Sequence, residues 1–222
     1  MKKLLLISAL LSTLATTAHA ISWESSCGSS YSKEFFKPNY SFTVRHGEVG
    51  GCPDDKLSHF GWEFSERQEV HSKPFFTNGG KWEWTATVNI DRACKPATRS
   101  TIVQIHGGHS TAQRPQGNPS FLAVNWHNNF RGQGGGFQNG YATWGHGDTQ
   151  VPNRPFHVRM VVEWTKGKYI KSQYWIDGKY LGMEQTMAKG FSKLYFKFGV
   201  YRVNSNCDIT QTYKDVKVRK VK

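Results

Sequence analysis

The run TIVQIHGG, residues 101–108, places an amide and an imidazole two positions apart, at Gln104 and His106. Alternate side chains of a β-strand lie on one face, so Val103 and Ile105 would face an apolar core while Gln104 and His106 face the other way. Both polar groups can hold a proton or a charged ligand in place. The segment therefore predicts a strand whose outer face is either solvated or used in binding or catalysis.

Two further segments, YFKFGVY and SERQE, have the same two-faced pattern. Their polar members are Tyr195, Lys197 and Tyr201 in the first and Arg67 and Glu69 in the second. Gly199 has no side chain and leaves room between Lys197 and Tyr201 for a ligand to approach. If the three strands are neighbours in one sheet, these side chains line its outer surface together.

Such a surface suits β-elimination on a polymer of uronic acids. The reaction removes the C5 proton, which becomes acidic enough only when the neighbouring carboxylate is neutralised and the enolate-like charge is held by preorganised donors. Gln104, Arg67 and Lys197 offer such donors. His106 and Tyr201 offer the base that takes the proton and the acid that protonates the departing O4 oxygen.

The composition fits an exported protein that binds a polyanion. Residues 1–20 have a basic start, a short apolar stretch and a small-residue ending, which is typical of a signal peptide removed from the mature domain, residues 21–222. The formal net charge is +13, and eight Trp, nine Tyr and fourteen Phe offer faces for sugar rings. We expect a secreted or periplasmic monomer with an anionic polysaccharide as its partner and no nucleic-acid or membrane partner.

All four cysteines fall in the mature part of the chain, at Cys27, Cys52, Cys94 and Cys207. An even number in an oxidising compartment predicts two disulfides, in one of three connectivities. The spacings contain no C-x-x-C pair, which argues against a structural zinc site.

Short β-rich runs recur along the chain, and helical periodicity is scarce. The Asp177-Gly178 pair predicts a tight hairpin, because both residues tolerate positive φ. The five glycines of residues 131–140 favour a mobile loop over a groove. The predicted strands are residues 40–45, 60–64, 67–71, 81–90, 99–106, 120–126, 156–164, 169–176, 193–202 and 214–221. With no repeat or linker, we expect one all-β domain of two antiparallel sheets packed face to face.

The three two-faced segments resemble the signatures of a known family. The alginate lyases of polysaccharide lyase family 7 carry R-[ST]-E-L-R, Q-[IV]-H and Y-F-K-A-G-x-Y-x-Q, and ERQEV, QIH and YFKFGVY are similar to them and follow in the same order. KFGVYR and the hairpin around IDGKYLG are also similar to the heparin lyase I and glucuronan lyase branch. The resemblance implies a single-domain, concanavalin A-like β-jelly-roll sandwich and a lyase that leaves an unsaturated uronate end.

Carried over residue by residue, the resemblance implies that Arg67 and Gln104 neutralise the substrate carboxylate. His106 would be base or neutraliser, and Tyr201 the acid, with a role as base left open. Lys197 would contact substrate or assist catalysis. The other implied substrate contacts are Glu69, His71, Tyr195, Arg202 and Trp126.

Three positions depart from the family signatures. His71 replaces the second arginine of the first motif, Gln68 replaces its Ser or Thr, and Val203 replaces the final glutamine of the third. These positions lie at the groove edge in the family, so they bear on substrate identity more than on reaction type. Alginate or glucuronan is the first expectation for the polymer, and a heparin-type glycosaminoglycan is the second.

Two other functions and a metal site stay open. A non-catalytic carbohydrate-binding module would use the same face without turnover, and a jelly-roll glycoside hydrolase would need paired carboxylates, for which Glu83 and Glu163 are candidates. His106, His109, His127 and His146 match no zinc signature. We expect no metal or other cofactor, with calcium, which some related lyases carry, as the alternative.

Overall fold

A computed structural model of the chain describes residues 21–26, 39–45, 65–73, 76–92, 99–109, 117–125, 127–134, 149–188, 190–203 and 207–222. These residues form twelve β-strands and no α-helix, and none of them belongs to a helix that could cross a membrane. The strands are β1 Ser22–Ser25, β2 Tyr40–Val44, β3 Ser65–Lys73, β4 Gly80–Arg92, β5 Arg99–His109, β6 Gly117–Asn125, β7 Phe130–Gly134, β8 Phe156–Thr165, β9 Tyr169–Ile176, β10 Lys179–Met187, β11 Phe191–Val203 and β12 Ile209–Val221.

The strands form two six-stranded antiparallel sheets. Sheet A has the order β1-β3-β11-β5-β6-β7, and sheet B has the order β10-β9-β8-β4-β12-β2. Many neighbours in space are far apart in sequence, so the chain passes repeatedly from one sheet to the other, as in a jelly roll. The predicted all-β jelly-roll sandwich of two antiparallel sheets is confirmed.

The core lies between the sheets and follows from strict alternation of apolar side chains. Buried and exposed positions alternate along all of β2. Phe198 of β11 is fully buried, and the rings of Trp23, Tyr40, Phe42 and Tyr213 meet it with centroid separations between 4.7 and 5.7 Å. Burial of a side chain of this size contributes roughly 2–3 kcal/mol. This aromatic cluster therefore anchors β11, whose opposite face carries polar groups.

Every predicted strand that falls on described residues is present, and most are longer than predicted. The strand predicted at residues 60–64 lies outside the described residues. β1 and β7 were not predicted as strands, and β10 was predicted only as the second strand of the Asp177-Gly178 hairpin. Asp177 and Gly178 have φ values of 48° and 80° and join β9 to β10, which confirms the hairpin.

The prediction of a loop over residues 131–140 is wrong for residues 131–134, which belong to β7. Phe130 at the start of β7 is fully buried and fixes the strand against the core. β7 then pairs with β6 through backbone hydrogen bonds, which glycine makes as well as any other residue. Residues 135–140 lie outside the described residues.

Residues 1–20 and three of the four cysteines lie outside the described residues. Cys207 is disulfide-bonded. The connectivity of the two predicted disulfides therefore stays open, and the signal peptide stays a prediction.

Candidate active site

β3, β11 and β5 are neighbours in sheet A, so the three two-faced segments lie side by side. Their apolar side chains enter the core, and the alternate side chains form what we call the polar face. Direct cross-strand pairs on this face are Lys197 with His71, Tyr201 with Arg67, Tyr195 with His106 and Lys197 with Gln104. Glu69 lies on the same face, opposite Gly199. The structure thus brings the predicted residues of all three segments together.

A buried ion pair lies at the centre of the polar face. Lys197 Nζ lies 2.9 Å from Glu69 Oε2, and Gln104 Nε2 donates a hydrogen bond of 2.6 Å to Glu69 Oε1. The exposed fractions are 2% for Glu69, 2% for Gln104 and 5% for Lys197. One carboxylate therefore orients both the amide and the ammonium, and each charge of the pair compensates the other in a poorly hydrated place.

Tyr195 and His106 form a second contact on this face. The Tyr195 hydroxyl lies 2.8 Å from His106 Nδ1. Burial lowers the pKa of His106 well below 6.5, and the positive charges of Lys197 and Arg67 lower it further. Burial raises the pKa of Tyr195 to about 12, and the charge of Glu69 adds to this effect. At neutral pH the imidazole is therefore uncharged and the phenol keeps its proton.

His71 lies beside a smaller, more exposed group of charges at the edge of the face. His71 Nε2 is 3.7 Å and Lys73 Nζ is 2.5 Å from Glu24 Oε2 of β1. Burial lowers the pKa of His71, an effect that Glu24 opposes and Lys197 reinforces. His71 is thus a neutral side chain where the family motif has an arginine.

Arg67 and Tyr201 form the far end of the polar face. The guanidinium carbon of Arg67 lies 4.5 Å from the centroid of the Tyr201 ring, a cation–π contact that orients both side chains. The pairing of β11 with β5 is irregular between Phe198 and Tyr201. Such β-bulges re-aim the side chains that follow them, so the direction of the Tyr201 side chain depends on this irregularity.

Two side chains of β12 cross the core to support the bulge. The Tyr213 hydroxyl lies 2.8 Å from the carbonyl oxygen of Ile102 and 3.1 Å from that of Gly199. Gln211 Nε2 donates to Ser100 Oγ at 2.8 Å. A bulge disrupts the backbone ladder, so these buried groups of sheet B add hydrogen bonds to strands β5 and β11 at the place where their pairing is irregular.

Two glycines in the motifs are required by close packing. Gly199 has a φ of 131°, and a Cβ there would lie 2.3 Å from the carbonyl oxygen of Gln68. The expectation that Gly199 leaves room for a ligand is therefore wrong, since the β3 backbone occupies that space. A Cβ on Gly107 would lie 2.2 Å from the ring of Phe191.

Some predicted site residues cannot be placed. Trp126, His146 and the side chains of Arg202 and His109 lie outside the described residues. Across the ranges that are described, no group of three or more His, Cys, Asp or Glu is arranged to hold a metal ion. The expectations about calcium and other cofactors stay predictions.

The carboxylates considered for a hydrolase lie on the outer face of sheet B. Glu83 accepts hydrogen bonds from Arg159 Nε at 2.5 Å and Arg219 Nε at 2.6 Å, and Glu163 accepts one from Tyr169 at 2.8 Å. Burial raises the pKa of Glu83, but the hydrogen bonds from Arg219 and Arg159 outweigh it, so the pKa lies below its ordinary value. An ionised, arginine-bound carboxylate does not serve as a general acid.

Sequence reasoning missed three residues of the polar face. Lys73 continues the alternation of Arg67, Glu69 and His71 by one step, so the signal for it was present. Glu24 lies in a four-residue strand with no apolar alternation, so no pattern in the sequence indicated that it belongs to this face. Phe121 is paired with Gln104 and is 5% exposed, but it lies outside the hydrophobic core cluster, and the sequence alone does not separate it from a core residue.

Comparison with known proteins identifies the fold. No family model and no curated protein matches the sequence. The endo-β-1,4-glucuronan lyase of the fungus Trichoderma reesei is 12% identical, with a TM-score of 0.59 over 91% of this chain and 88% of that one. An alginate lyase from Pseudomonas aeruginosa is 21% identical, with a TM-score of 0.55 over 82% of each chain. A marine family 7 alginate lyase from Zobellia galactanivorans is 14% identical, with a TM-score of 0.55 over 82% of this chain and 77% of that one.

The chain therefore has the β-jelly-roll fold of polysaccharide lyases, as the three motifs predicted. The likeness extends over most of the chain. At these identities the likeness shows the fold, and the side chains of the polar face carry the functional argument.

Proposed function

We propose that this protein is a polysaccharide lyase that cleaves an acidic, uronate-containing polysaccharide by β-elimination. The observation that carries the proposal is the polar face itself, in which Arg67, Gln104, His106 and Tyr201 lie on three adjacent strands of a lyase fold. These are the side-chain types that the reaction requires, namely donors for a carboxylate and groups that transfer a proton.

Catalysis begins with neutralisation of the uronate carboxylate. Gln104 and Arg67 donate hydrogen bonds to it, which stabilises the charge that develops when the C5 proton leaves. The electron pair of the C5–H bond forms the C4–C5 double bond, and the C4–O4 bond breaks. The departing O4 oxygen takes a proton, so the products are one unsaturated uronate end and one new hydroxyl end.

The hydrogen bond between Tyr195 and His106 supports one of the two roles that the sequence leaves open for the imidazole. Tyr195, whose pKa is raised to about 12, keeps its proton at neutral pH, and we propose that its hydroxyl donates a hydrogen bond to Nδ1 of the neutral His106. The proton of the imidazole then lies on Nε2, and this nitrogen is a hydrogen-bond donor rather than a base. His106 therefore helps to neutralise the substrate, and Tyr201 is the group that takes the C5 proton and returns one to O4.

Glu69 and Lys197 act as positioning residues beneath the substrate. Their side chains are buried and contact each other, and Glu69 also holds the amide nitrogen of Gln104. Preorganised donors need no reorganisation during the reaction, so this support keeps Gln104 in the position from which it donates.

The substrate class follows from charge and from the fold neighbours. A net charge of +13 attracts polyanions, and the neighbours are named as glucuronan and alginate lyases. We therefore place polyglucuronate and alginate first and a heparin-type polymer second, with the leader of residues 1–20 directing the enzyme out of the cytoplasm. No step of the proposed mechanism needs a metal ion. We therefore expect EDTA to leave the rate of polymer cleavage unchanged.

The experiment incubates the purified mature protein with polyglucuronate, alginate, heparin, hyaluronate and pectate. Ultraviolet absorbance follows the unsaturated uronate, which absorbs where the polymers do not, and a reducing-end assay runs in parallel. A rise of both signals with one polymer supports the lyase and names its substrate. Reducing ends without absorbance mean a hydrolase, and binding without either signal means a carbohydrate-binding module.

A further inference from the structure

The positive charge of the chain is not confined to the polar face. β12, which lies in the other sheet, carries the exposed cations Lys214, Lys217, Arg219 and Lys220 and only one acidic residue, Asp215. Lys217 pairs with Thr85 of β4, and Arg219 pairs with Glu83. The residues on either side of these two positions are buried in the core, namely Trp82, Trp84 and Ala86. Lys217 and Arg219 therefore point to the outer face of sheet B. This face is on the opposite side of the molecule from the polar face.

A straight row of side chains crosses this outer face. Direct cross-strand pairs run from Lys217 to Thr85, Arg159, Trp175 and Tyr180, which we call the outer row. The guanidinium carbon of Arg159 lies 4.1 Å from a ring centroid of Trp175, and the rings of Trp175 and Tyr180 are 5.3 Å apart. The row therefore joins a cationic half to an aromatic half within one continuous surface.

The cationic half of the outer row forms the wall of a pocket. Its lining consists of Glu83, Thr85, His157, Arg159, Lys217 and Arg219. Glu83 is 4% exposed, and its two oxygens lie 2.5 Å from Arg159 Nε and 2.6 Å from the Arg219 guanidinium. The buried carboxylate thus fixes the two guanidinium groups side by side, and three cations surround it, which leaves the pocket positive.

We infer that the outer row and its pocket are a second binding site for an anionic polysaccharide, separate from the polar face. Carboxylate groups of the polymer bind Lys217 and the arginines, and a sugar ring packs against the aromatic half of the row, in which Arg159 holds Trp175 in place and Tyr180 is 48% exposed. The choice of a uronate polymer as ligand rests on the proposed function. A site on the far side of the molecule holds the enzyme on a polymer without blocking the catalytic face, which raises the effective substrate concentration.

The test compares Lys217→Glu and Trp175→Ala with Lys220→Glu, all in a Tyr201→Phe background that prevents degradation of the polymer. Lys220→Glu is the matched control because Lys220 is also exposed on β12 but pairs with Trp82, whose side chain is in the core, and so lies on the other side of the sheet. Affinity electrophoresis in gels that contain polyglucuronate or alginate gives the dissociation constants.

We expect Lys217→Glu and Trp175→Ala each to weaken binding by about tenfold, the scale of one charge-assisted contact. Lys220→Glu should change binding by less than about twofold at moderate salt, where charges beyond the contact distance are screened. Lys217→Glu in the otherwise unchanged enzyme should leave turnover of short oligosaccharides unaltered.

Equal losses for Lys217→Glu and Lys220→Glu would mean that only overall charge matters, and no loss for Lys217→Glu would mean that the row does not bind the polymer. Either result overturns the inference, as does tighter binding of a DNA oligonucleotide or of anionic lipid vesicles through the same residues. Absence of turnover on every polymer would contradict the proposed function, but the binding comparison would still test this site. Lys217 is exposed, so its variant tests the site even if Trp175→Ala fails to fold.

Discussion

Glu69→Gln tests whether the buried ion pair organises the polar face. The substitution keeps the size of the side chain and removes the charge that lies 2.9 Å from Lys197 Nζ. Lys197 is 5% exposed, so its ammonium group then lies in the protein interior without its counter-charge. We expect a large loss of stability and, because Gln104 loses its charged acceptor, a loss of turnover as well.

The expected loss of stability follows from the geometry. At 2.9 Å the attraction between two unit charges is about 6 kcal/mol if the effective dielectric constant is taken as roughly 20. Desolvation of the two ions offsets part of this energy in the native protein. Removal of one partner of a buried pair typically costs about 3–5 kcal/mol, and we expect the free energy of unfolding to fall by that amount.

Urea denaturation followed by tryptophan fluorescence measures the effect. Glu24→Gln is the matched control, because Glu24 lies 2.5 Å from Lys73 Nζ but the two side chains are 46% and 42% exposed. An exposed pair of this kind contributes at most about 1 kcal/mol. If Glu69→Gln costs no more than Glu24→Gln, the assignment of Glu69 as the buried organiser of the face is refuted.

Three further substitutions test other parts of the structure. Burial raises the pKa of Glu184 from its ordinary value of 4.5 to about 9. Between these two pH values the native protein keeps a proton on Glu184 that the unfolded chain releases. Stability should therefore fall as pH rises from about 4.5 to about 9, by at most about 1.4 kcal/mol per pH unit, and urea denaturation of Glu184→Gln should lack this slope. Tyr195→Phe should lower kcat by about 10–100-fold and raise the pKa of His106, measured by NMR, toward 6.5, because the neutral imidazole loses the hydrogen bond that its Nδ1 accepts; an unshifted pKa would contradict the tautomer assignment. Tyr213→Phe should cost about 1–3 kcal/mol in urea denaturation and lower kcat, because the buried carbonyls of Ile102 and Gly199 lose the one hydroxyl proton that they share; unchanged kcat would mean that the bulge does not contribute to catalysis.

Alternation of side chains made most of the fold and part of the site predictable. In β11 the apolar Phe196, Phe198 and Val200 alternate with Tyr195 and Lys197, and this period of two predicts both the strand and its polar face. β7 was not predicted as a strand because its glycines lower the strand propensity of the segment. The backbone hydrogen bonds that pair it with β6 need no side chains.

Contacts between strands that are distant in sequence were not predictable. Lys197 and Glu69 are far apart in the chain, and their ion pair depends on the register of β11 against β3. Tyr213 belongs to sheet B, and its support of the bulge in sheet A depends on how the two sheets pack. The outer row combines residues of β12, β4, β8, β9 and β10, so it exists only after the sheet has formed.

The most direct test of the central claim is a comparison of Tyr201→Phe with the unsubstituted enzyme on the polymer that the enzyme cleaves. Turnover is followed by the absorbance of the unsaturated uronate, and affinity for a short oligosaccharide is measured by calorimetry. We predict that the substitution lowers kcat by at least about 100-fold and leaves the dissociation constant within about threefold, because the hydroxyl acts mainly in the transition state. Full turnover by Tyr201→Phe would contradict the proposed elimination mechanism.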